Sequence, residues 1–92
     1  MASDIEKAAK HKDVYELVRL SHVYEGKTDK LSELGVAFQQ LIPQFDPKKK
    51  SYELKYMTTA LDCPELLDAR NAARAALGEP PQMPKEAFNS QV

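Results

Sequence analysis

The most regular hydrophobic pattern in the chain lies between residues 31 and 42. Its apolar positions recur at intervals of three and four, which places them on one face of an α-helix. The members of this stripe are Leu31, Leu34, Gly35, Phe38, Leu41 and Ile42. Thr28 or Asp29 is expected to cap the start of the helix, because both side chains accept hydrogen bonds from unpaired amides. Pro43 is expected to end it, since proline has no amide hydrogen to donate.

The N-terminal part of the sequence predicts two short helices rather than one long helix. Ser3 and Glu6 have the spacing of a capping box and mark the start of the first helix. A single helix through the whole region would scatter its apolar residues around the circumference. We therefore expect a break at residues 11–13, a second helix over about 14–24, and a left-handed stop at Gly26.

A fourth helix is predicted from the pair Asp46 and Pro47. These residue types are favoured at the N-cap and at the first position of a helix, respectively. A helix that starts there would align Leu54, Met57 and Leu61 in one apolar stripe.

The last predicted helix starts within residues 62–65, which repeat the spacing between a capping residue and a following glutamate. Its alanine-rich inner face would consist of Leu66, Ala69, Ala73, Ala76 and Leu77. Gly78 and the pair Pro80 and Pro81 are expected to close it.

These patterns predict an all-α fold: a compact bundle of four to five short helices in which each apolar stripe covers another. Apolar–polar alternation, the pattern of a half-buried strand, is scarce. A chain of 92 residues is sufficient for one small domain, and residues 1–78 are assigned to a single helical domain. Residues 79–92 contain several prolines and are expected to form an extended or flexible C-terminal tail, from which Met83 and Phe88 can dock on the domain.

Composition limits the classes of partner. The chain is 42% hydrophobic and 29% charged with a net charge of −1, so it lacks the overall positive field that draws proteins to nucleic acid or to a membrane surface. The acidic N-terminus has no apolar stretch of the kind found in a signal peptide. We expect a soluble, cytoplasmic protein that neither crosses nor binds a membrane.

The sequence offers little support for catalysis. Cys63, the single cysteine, is the best candidate nucleophile because it stands at a predicted helix start, where the pKa of a thiol is lowered. A small buried apolar residue in an interhelix turn is the favoured interpretation. His11 and His22 are separated by the expected break, and the glycines are too isolated to form a phosphate-binding loop. We therefore predict no enzymatic activity, no cofactor and no metal site.

A basic and aromatic segment is the one candidate binding site. It consists of Lys48, Lys49, Lys50, Tyr52, Lys55 and Tyr56. Three lysines in the first turn of a helix would oppose its dipole, which suggests a role other than folding. Tyr52 and Tyr56 would present two rings side by side at i, i+4. The competing interpretation is a solvated lysine face with tyrosines at the edge of the core.

The predicted function is a small non-enzymatic helical protein-binding module. It would act as an adaptor or as an inhibitor and regulator that occupies a surface of a macromolecular partner. An alternative is a small helical nucleic-acid-binding regulator that uses the same patch of Lys48–Lys50, Tyr52 and Tyr56. A further alternative is a homodimeric structural subunit, because a monomer of this size has a modest core.

Overall fold

Five α-helices and two short 3₁₀ helices form the regular structure of residues 3–82, the part of the chain that the computed structural model describes. The α-helices are α1 (Asp4–Lys10), α2 (Val14–Val23), α3 (Thr28–Leu41), α4 (Ser51–Ala60) and α5 (Leu67–Ala76). The 3₁₀ helices are Ile42–Gln44 and Pro64–Leu66. Residues 3–82 contain no strand, so the predicted all-α fold is confirmed for them.

The predicted capping box starts α1. The Ser3 hydroxyl accepts a hydrogen bond from the Glu6 amide at 3.1 Å, and the Glu6 carboxylate accepts one from the Ser3 amide at 2.9 Å. Each of these bonds satisfies an amide that a helix terminus leaves unpaired. The two residues therefore define where the first helix begins.

The predicted break between α1 and α2 is also present, and local hydrogen bonds stabilise the turn that forms it. The Lys12 amide donates to the Ala9 carbonyl at 3.0 Å, and the Asp13 amide donates to the Ala8 carbonyl at 2.9 Å. This pairing is the Schellman motif, here with Lys12 in the left-handed position at φ 54°. Asp13 then caps α2 through a 3.1 Å bond from the Glu16 amide to its Oδ1.

The start of α3 differs from the prediction. Lys27 occupies the N-cap without a side-chain hydrogen bond, and Thr28 is already the first helical residue, so the capping role predicted for Thr28 or Asp29 is wrong. Gly26, at φ 82°, makes the expected left-handed stop after α2. Gly26 lies within a turn that is closed by a 2.8 Å bond from the Lys27 amide to the Tyr24 carbonyl, and the helix begins directly after this turn.

The start of α4 also differs from the prediction. Asp46 accepts a hydrogen bond from the Lys48 amide at its Oδ1, at 2.9 Å, and its carbonyl accepts from the Lys50 amide at 2.8 Å. Both bonds form within a single turn that contains Pro47, and α4 begins only at Ser51. The predicted place of the three lysines in the first turn of α4 is therefore wrong, because they precede the helix.

A 3₁₀ helix delays the start of α5. Cys63 is in extended conformation and Pro64 takes the first 3₁₀ position, without the side-chain cap that residues 62–65 predicted. The end of α5 follows the prediction, because Gly78 adopts φ 79°. Its amide bonds the Ala75 carbonyl at 3.0 Å and the Glu79 amide bonds the Arg74 carbonyl at 2.8 Å, which completes a second Schellman motif.

The core lies around α3, which packs against α1, α2 and α5 and against both 3₁₀ helices, while α4 packs against α5 and α2. The predicted apolar stripes of α3, α4 and α5 supply seven of its eleven largest fully buried side chains, and α2 supplies the other four. The eleven are Phe38, Leu17, Leu20, Leu31, Leu34, Leu54, Met57, Leu61, Leu66, Val14 and Val18. Burial of each such side chain contributes about 1.5–3 kcal/mol relative to an exposed position. The helices that carry surface residues are therefore held by one shared core.

Residues 79–82 follow α5 without regular secondary structure and hydrogen-bond to it. The rest of the predicted tail, including Met83 and Phe88, lies outside the described residues. Among the helices within residues 3–82, none combines the length and the hydropathy that a bilayer crossing requires.

Candidate functional site

All six predicted contact residues are exposed at the surface. Lys48 and Lys49 belong to the turn that precedes α4, and Lys50 is the N-cap of α4. Tyr52, Lys55 and Tyr56 belong to the helix itself. The structure therefore divides the predicted segment into a lysine-bearing turn and an aromatic helix face.

The ring of Tyr56 contacts Tyr15 rather than Tyr52. The centroids of the Tyr15 and Tyr56 rings are 5.1 Å apart, with an interplanar angle of 36°. This geometry is within the range of favourable aromatic pairs, which contribute about 0.5–1.5 kcal/mol beyond their burial. The ring contact between α2 and α4 is thus an addition to the predicted arrangement, in which Tyr52 and Tyr56 lie side by side on one helix face.

Tyr15 is the residue that the sequence reasoning missed. It lies in the first turn of α2, beside the apolar face formed by Val14, Leu17 and Val18. The one signal in the sequence was a large aromatic side chain outside the apolar face of α2. This signal does not indicate which ring Tyr15 contacts. Only the packing of α2 against α4 brings its ring to Tyr56.

The three tyrosines remain accessible although two of them are in contact. The exposed fraction is 83% for Tyr52, 53% for Tyr15 and 39% for Tyr56. Tyr52 and Tyr56 are one turn apart and share a helix face. We call the surface formed by Tyr15, Tyr52, Tyr56, Lys48, Lys49, Lys50 and Lys55 the aromatic–lysine patch.

Two carboxylates reduce the positive charge of the patch. Lys55 Nζ is 3.1 Å from Glu79 Oε2, and Lys50 Nζ is 3.9 Å from Glu53 Oε2. Within residues 3–82, Lys48 and Lys49 form no ion pair. The uncompensated charge of the patch is therefore concentrated in the turn before α4.

An exposed ion pair lies on α2, the helix that carries Tyr15. Arg19, one turn beyond Tyr15, donates two hydrogen bonds to the Glu16 carboxylate, at 2.8 and 2.5 Å. The hydrogen bonds from Arg19 hold the pKa of Glu16 below its ordinary value. This pair adds a polar border to the aromatic surface, the arrangement found around protein interfaces.

Cys63 has the properties of a packed residue. It is half-buried and packs against the core. Burial raises the pKa of its thiol, and the charges of Glu65 and Asp62 add to that effect. The raised pKa lowers the fraction of reactive thiolate at neutral pH, which is the opposite of the shift that a catalytic cysteine requires.

Metal binding and small-molecule binding have little geometric support in the described residues. His11 and His22 are exposed and belong to the ends of different helices. Within residues 3–82, no three side chains among histidine, cysteine, aspartate and glutamate form a cluster able to hold a metal ion. Two open depressions of about 290 and 240 Å³ adjoin each other between α1 and α3. Both are lined by Glu6, Ala9, Ala37 and Gln40, which offer small and polar contacts.

The aromatic–lysine patch is thus the surface with the largest accessible aromatic area in the described part of the chain. It offers three phenol rings for apolar contact, three hydroxyl groups for hydrogen bonds, and a positive border. In comparisons with protein-family models, with curated proteins and with solved structures, the chain has no match. The functional assignment therefore depends on the geometry of these residues.

Proposed function

We propose that this chain is a small non-enzymatic protein-binding module that acts as an adaptor or inhibitor by covering an acidic surface of a protein partner. The aromatic–lysine patch makes the contact. The observation that carries the proposal is the ring contact of Tyr15 with Tyr56 between two helices, which holds both rings in place while leaving them exposed.

Ordered tyrosines suit an interface for two physical reasons. Tyrosine is enriched among the residues that dominate binding energy, because it joins a large apolar surface to a polar hydroxyl. Each immobilised side chain costs about 0.5–1.5 kcal/mol on association. The packing of Tyr15 against Tyr56 meets part of that cost before the partner arrives.

The lysines determine the sign of the partner's charge. Lys48 and Lys49 are exposed and have no carboxylate within ion-pair distance in residues 3–82. Positive side chains at the border of an interface attract a negatively charged partner and raise the association rate more than the final affinity. The partner is therefore a protein with an acidic rim around an apolar contact area.

Nucleic acid is a weaker match to the same surface. Single-stranded nucleic acid also stacks on aromatic side chains and follows positive charge. However, the whole chain has a net charge of −1, and Lys50 and Lys55 are paired with carboxylates. Each neutralised lysine reduces the phosphate attraction that supplies most non-specific affinity. A protein partner accordingly has better physical support.

A charge-reversal variant tests the proposal. The full chain carrying Lys48→Glu, Lys49→Glu and Lys50→Glu is compared with the wild type in affinity capture from extract of the native host, with nuclease added to a parallel sample. A matched control carries Lys7→Glu, Lys12→Glu and Lys27→Glu, which make the same charge change at exposed positions elsewhere. Helicity should be unchanged in both variants, because neither set lies in the core.

The outcomes separate three functions. Protein capture by the wild type and the control, lost in the Lys48–Lys50 variant and resistant to nuclease, supports the proposal. Capture that nuclease abolishes and that weakens steeply between 50 and 200 mM salt identifies a nucleic-acid binder instead. A dimeric mass by sedimentation that persists on dilution, with unchanged capture in the variant, identifies a homodimeric subunit and removes the patch from consideration.

A further inference from the structure

The segment after α5 folds back along that helix and is bound by a side chain from it. Asn71 Nδ2 donates to the Gln82 carbonyl at 3.0 Å, and the Gln82 amide donates to Asn71 Oδ1 at 2.8 Å. One carboxamide thus pairs with both main-chain groups of a single residue. Main-chain groups form the same reciprocal pair between neighbouring strands of an antiparallel sheet.

Two basic residues bind the beginning of the same segment. Arg74 Nε donates to the Pro80 carbonyl at 2.6 Å, and Arg74 Nη1 is 3.3 Å from Glu79 Oε1. The other carboxylate oxygen of Glu79 is 3.1 Å from Lys55 Nζ on α4. We call residues 79–82 the strap.

The chemistry of these contacts describes a ligand. Lys55 and Arg74 bind one carboxylate, while Arg74 and Asn71 bind main-chain groups at the first and third positions after it. Apart from the carboxylate, these hydrogen bonds use groups that every peptide has. The pair Pro80 and Pro81 restricts the segment to the extended main chain that such contacts need.

The strap is an imperfect occupant of this surface. Gln82 Oε1 is buried and has no hydrogen-bond partner within residues 3–82. A buried acceptor without a partner destabilises the bound strap, because the desolvation of the oxygen is not compensated by a hydrogen bond. A peptide that carries an apolar side chain at this position forms the same main-chain bonds without that cost, so the strap is open to replacement.

We propose that Lys55, Asn71 and Arg74 form a recognition site for an acidic, extended peptide, and that the strap occupies this site in the isolated chain. A partner segment with a glutamate followed by prolines competes with the strap and displaces it. This site is additional to the proposed function, because it does not use the tyrosines. It shares only Lys55 with the aromatic–lysine patch. The strap is thus an autoinhibitory contact that a matching peptide releases.

The strap is covalently connected to α5, so a free peptide must compete with a tethered one. A tethered segment is present at a high effective concentration, in the millimolar range for short flexible links. A free peptide therefore binds the wild-type chain weakly. A substitution that weakens the strap's own carboxylate contacts leaves the tether in place but lowers the strap's affinity for the site, so a free peptide competes more easily.

The test titrates the full chain with an acetylated and amidated peptide of sequence Gly-Glu-Pro-Pro-Gln and follows backbone amide chemical shifts. Three variants are compared: Glu79→Gln, the double variant Glu79→Gln with Asn71→Ala, and Glu33→Gln as a matched control. Glu33 is a partly exposed member of the Lys30 ion pair on α3, at 4.0 Å, so the control removes the same charge away from the site.

The Glu79→Gln variant should bind the peptide at least about 10-fold more tightly than the wild type or Glu33→Gln. Shift changes should cluster at Lys55, Asn71 and Arg74. A peptide with glutamine in place of glutamate should bind Glu79→Gln at least about 5-fold more weakly, and the double variant should lose binding.

The proposal is overturned if the Glu79→Gln variant shows no shift changes at millimolar peptide. Equal binding by the single and double variants, or shift changes located away from the three residues, also overturns it. Neither peptide nor variant involves the tyrosines or Lys48–Lys50, so the result is independent of the capture experiment on the patch.

Discussion

Two neighbouring surfaces meet on α4. The patch side carries Tyr52 and Tyr56, whose rings are exposed and face solvent together with Tyr15. The strap side begins at Lys55, which lies one turn from Tyr52 and is already bound to Glu79 of the strap. Apolar area that is still exposed gains about 25 cal/mol per Å² of hydrophobic free energy when a partner covers it, from which the cost of ordering the side chains is subtracted. A polar site that is already occupied exchanges one set of hydrogen bonds for another, so it contributes selectivity more than affinity.

Both surfaces depend on the buried face of α4, and removing that support should have the largest effect. Leu54 is fully buried beneath them. Leu54→Ala should lower the free energy of unfolding by about 2–5 kcal/mol, through lost burial and the cavity left behind. Tyr52→Ala on the exposed face should change it by less than about 0.5 kcal/mol. Urea denaturation measures both, and similar losses for the two variants would show that α4 is not anchored as described.

The strap side can be weakened without disturbing the patch. Asn71→Ala removes both hydrogen bonds to Gln82. The expected loss of local stability is about 1–2 kcal/mol, which corresponds to roughly 5–30-fold faster hydrogen exchange at the Gln82 amide. Asn71→Asp keeps the acceptor for this amide and should give a smaller increase. Unchanged exchange in Asn71→Ala would mean that the carboxamide does not hold the strap.

The patch side can be tested through the coupling of its two rings. A double-mutant cycle with Tyr15→Ala and Tyr56→Ala should give a coupling of about 0.5–1.5 kcal/mol in the free energy of unfolding. The matched cycle with Tyr15→Ala and Tyr52→Ala should give less than about 0.5 kcal/mol, because Tyr52 is exposed. Equal couplings in the two cycles would argue against a specific ring contact between α2 and α4.

Substitutions at two glycines should have the smallest effect on the free energy of unfolding. An added Cβ at Gly35 on α3 would meet Leu66 Cδ2 at 3.6 Å, an ordinary contact, so Gly35→Ala should raise the free energy of unfolding by about 0.5–1 kcal/mol. Gly78 has φ 79° and directs the chain into the strap, so Gly78→Ala should lower it by a similar amount. Thermal unfolding with the two changes in the same direction would contradict these backbone assignments.

The elements that the sequence predicted correctly are those encoded within one helical turn. The capping box of Ser3 and Glu6 and the stop at Gly78 both join residues that are three to five positions apart. The apolar stripe of α3 repeats at the same short interval. Such signals need no knowledge of how the helices pack.

The features that were missed depend on competition or on packing. At Asp46, a local turn and a continuous helix compete for the same acceptors, and the turn prevails. The contact of Tyr15 with Tyr56 depends on how α2 lies on α4. The strap joins Lys55 to Glu79 across 24 positions, a separation at which spacing in the sequence carries no signal.

The most direct test of the account places a photoreactive benzoyl-phenylalanine at Tyr52 in the full chain. A matched probe replaces Val36, which is also exposed at 58% but lies on α3, away from the patch. After irradiation in nuclease-treated host extract, we expect a discrete protein adduct from position 52 and none from position 36. Adducts of equal yield from both positions, or from position 36 alone, would contradict the claim that the aromatic–lysine patch is the docking surface.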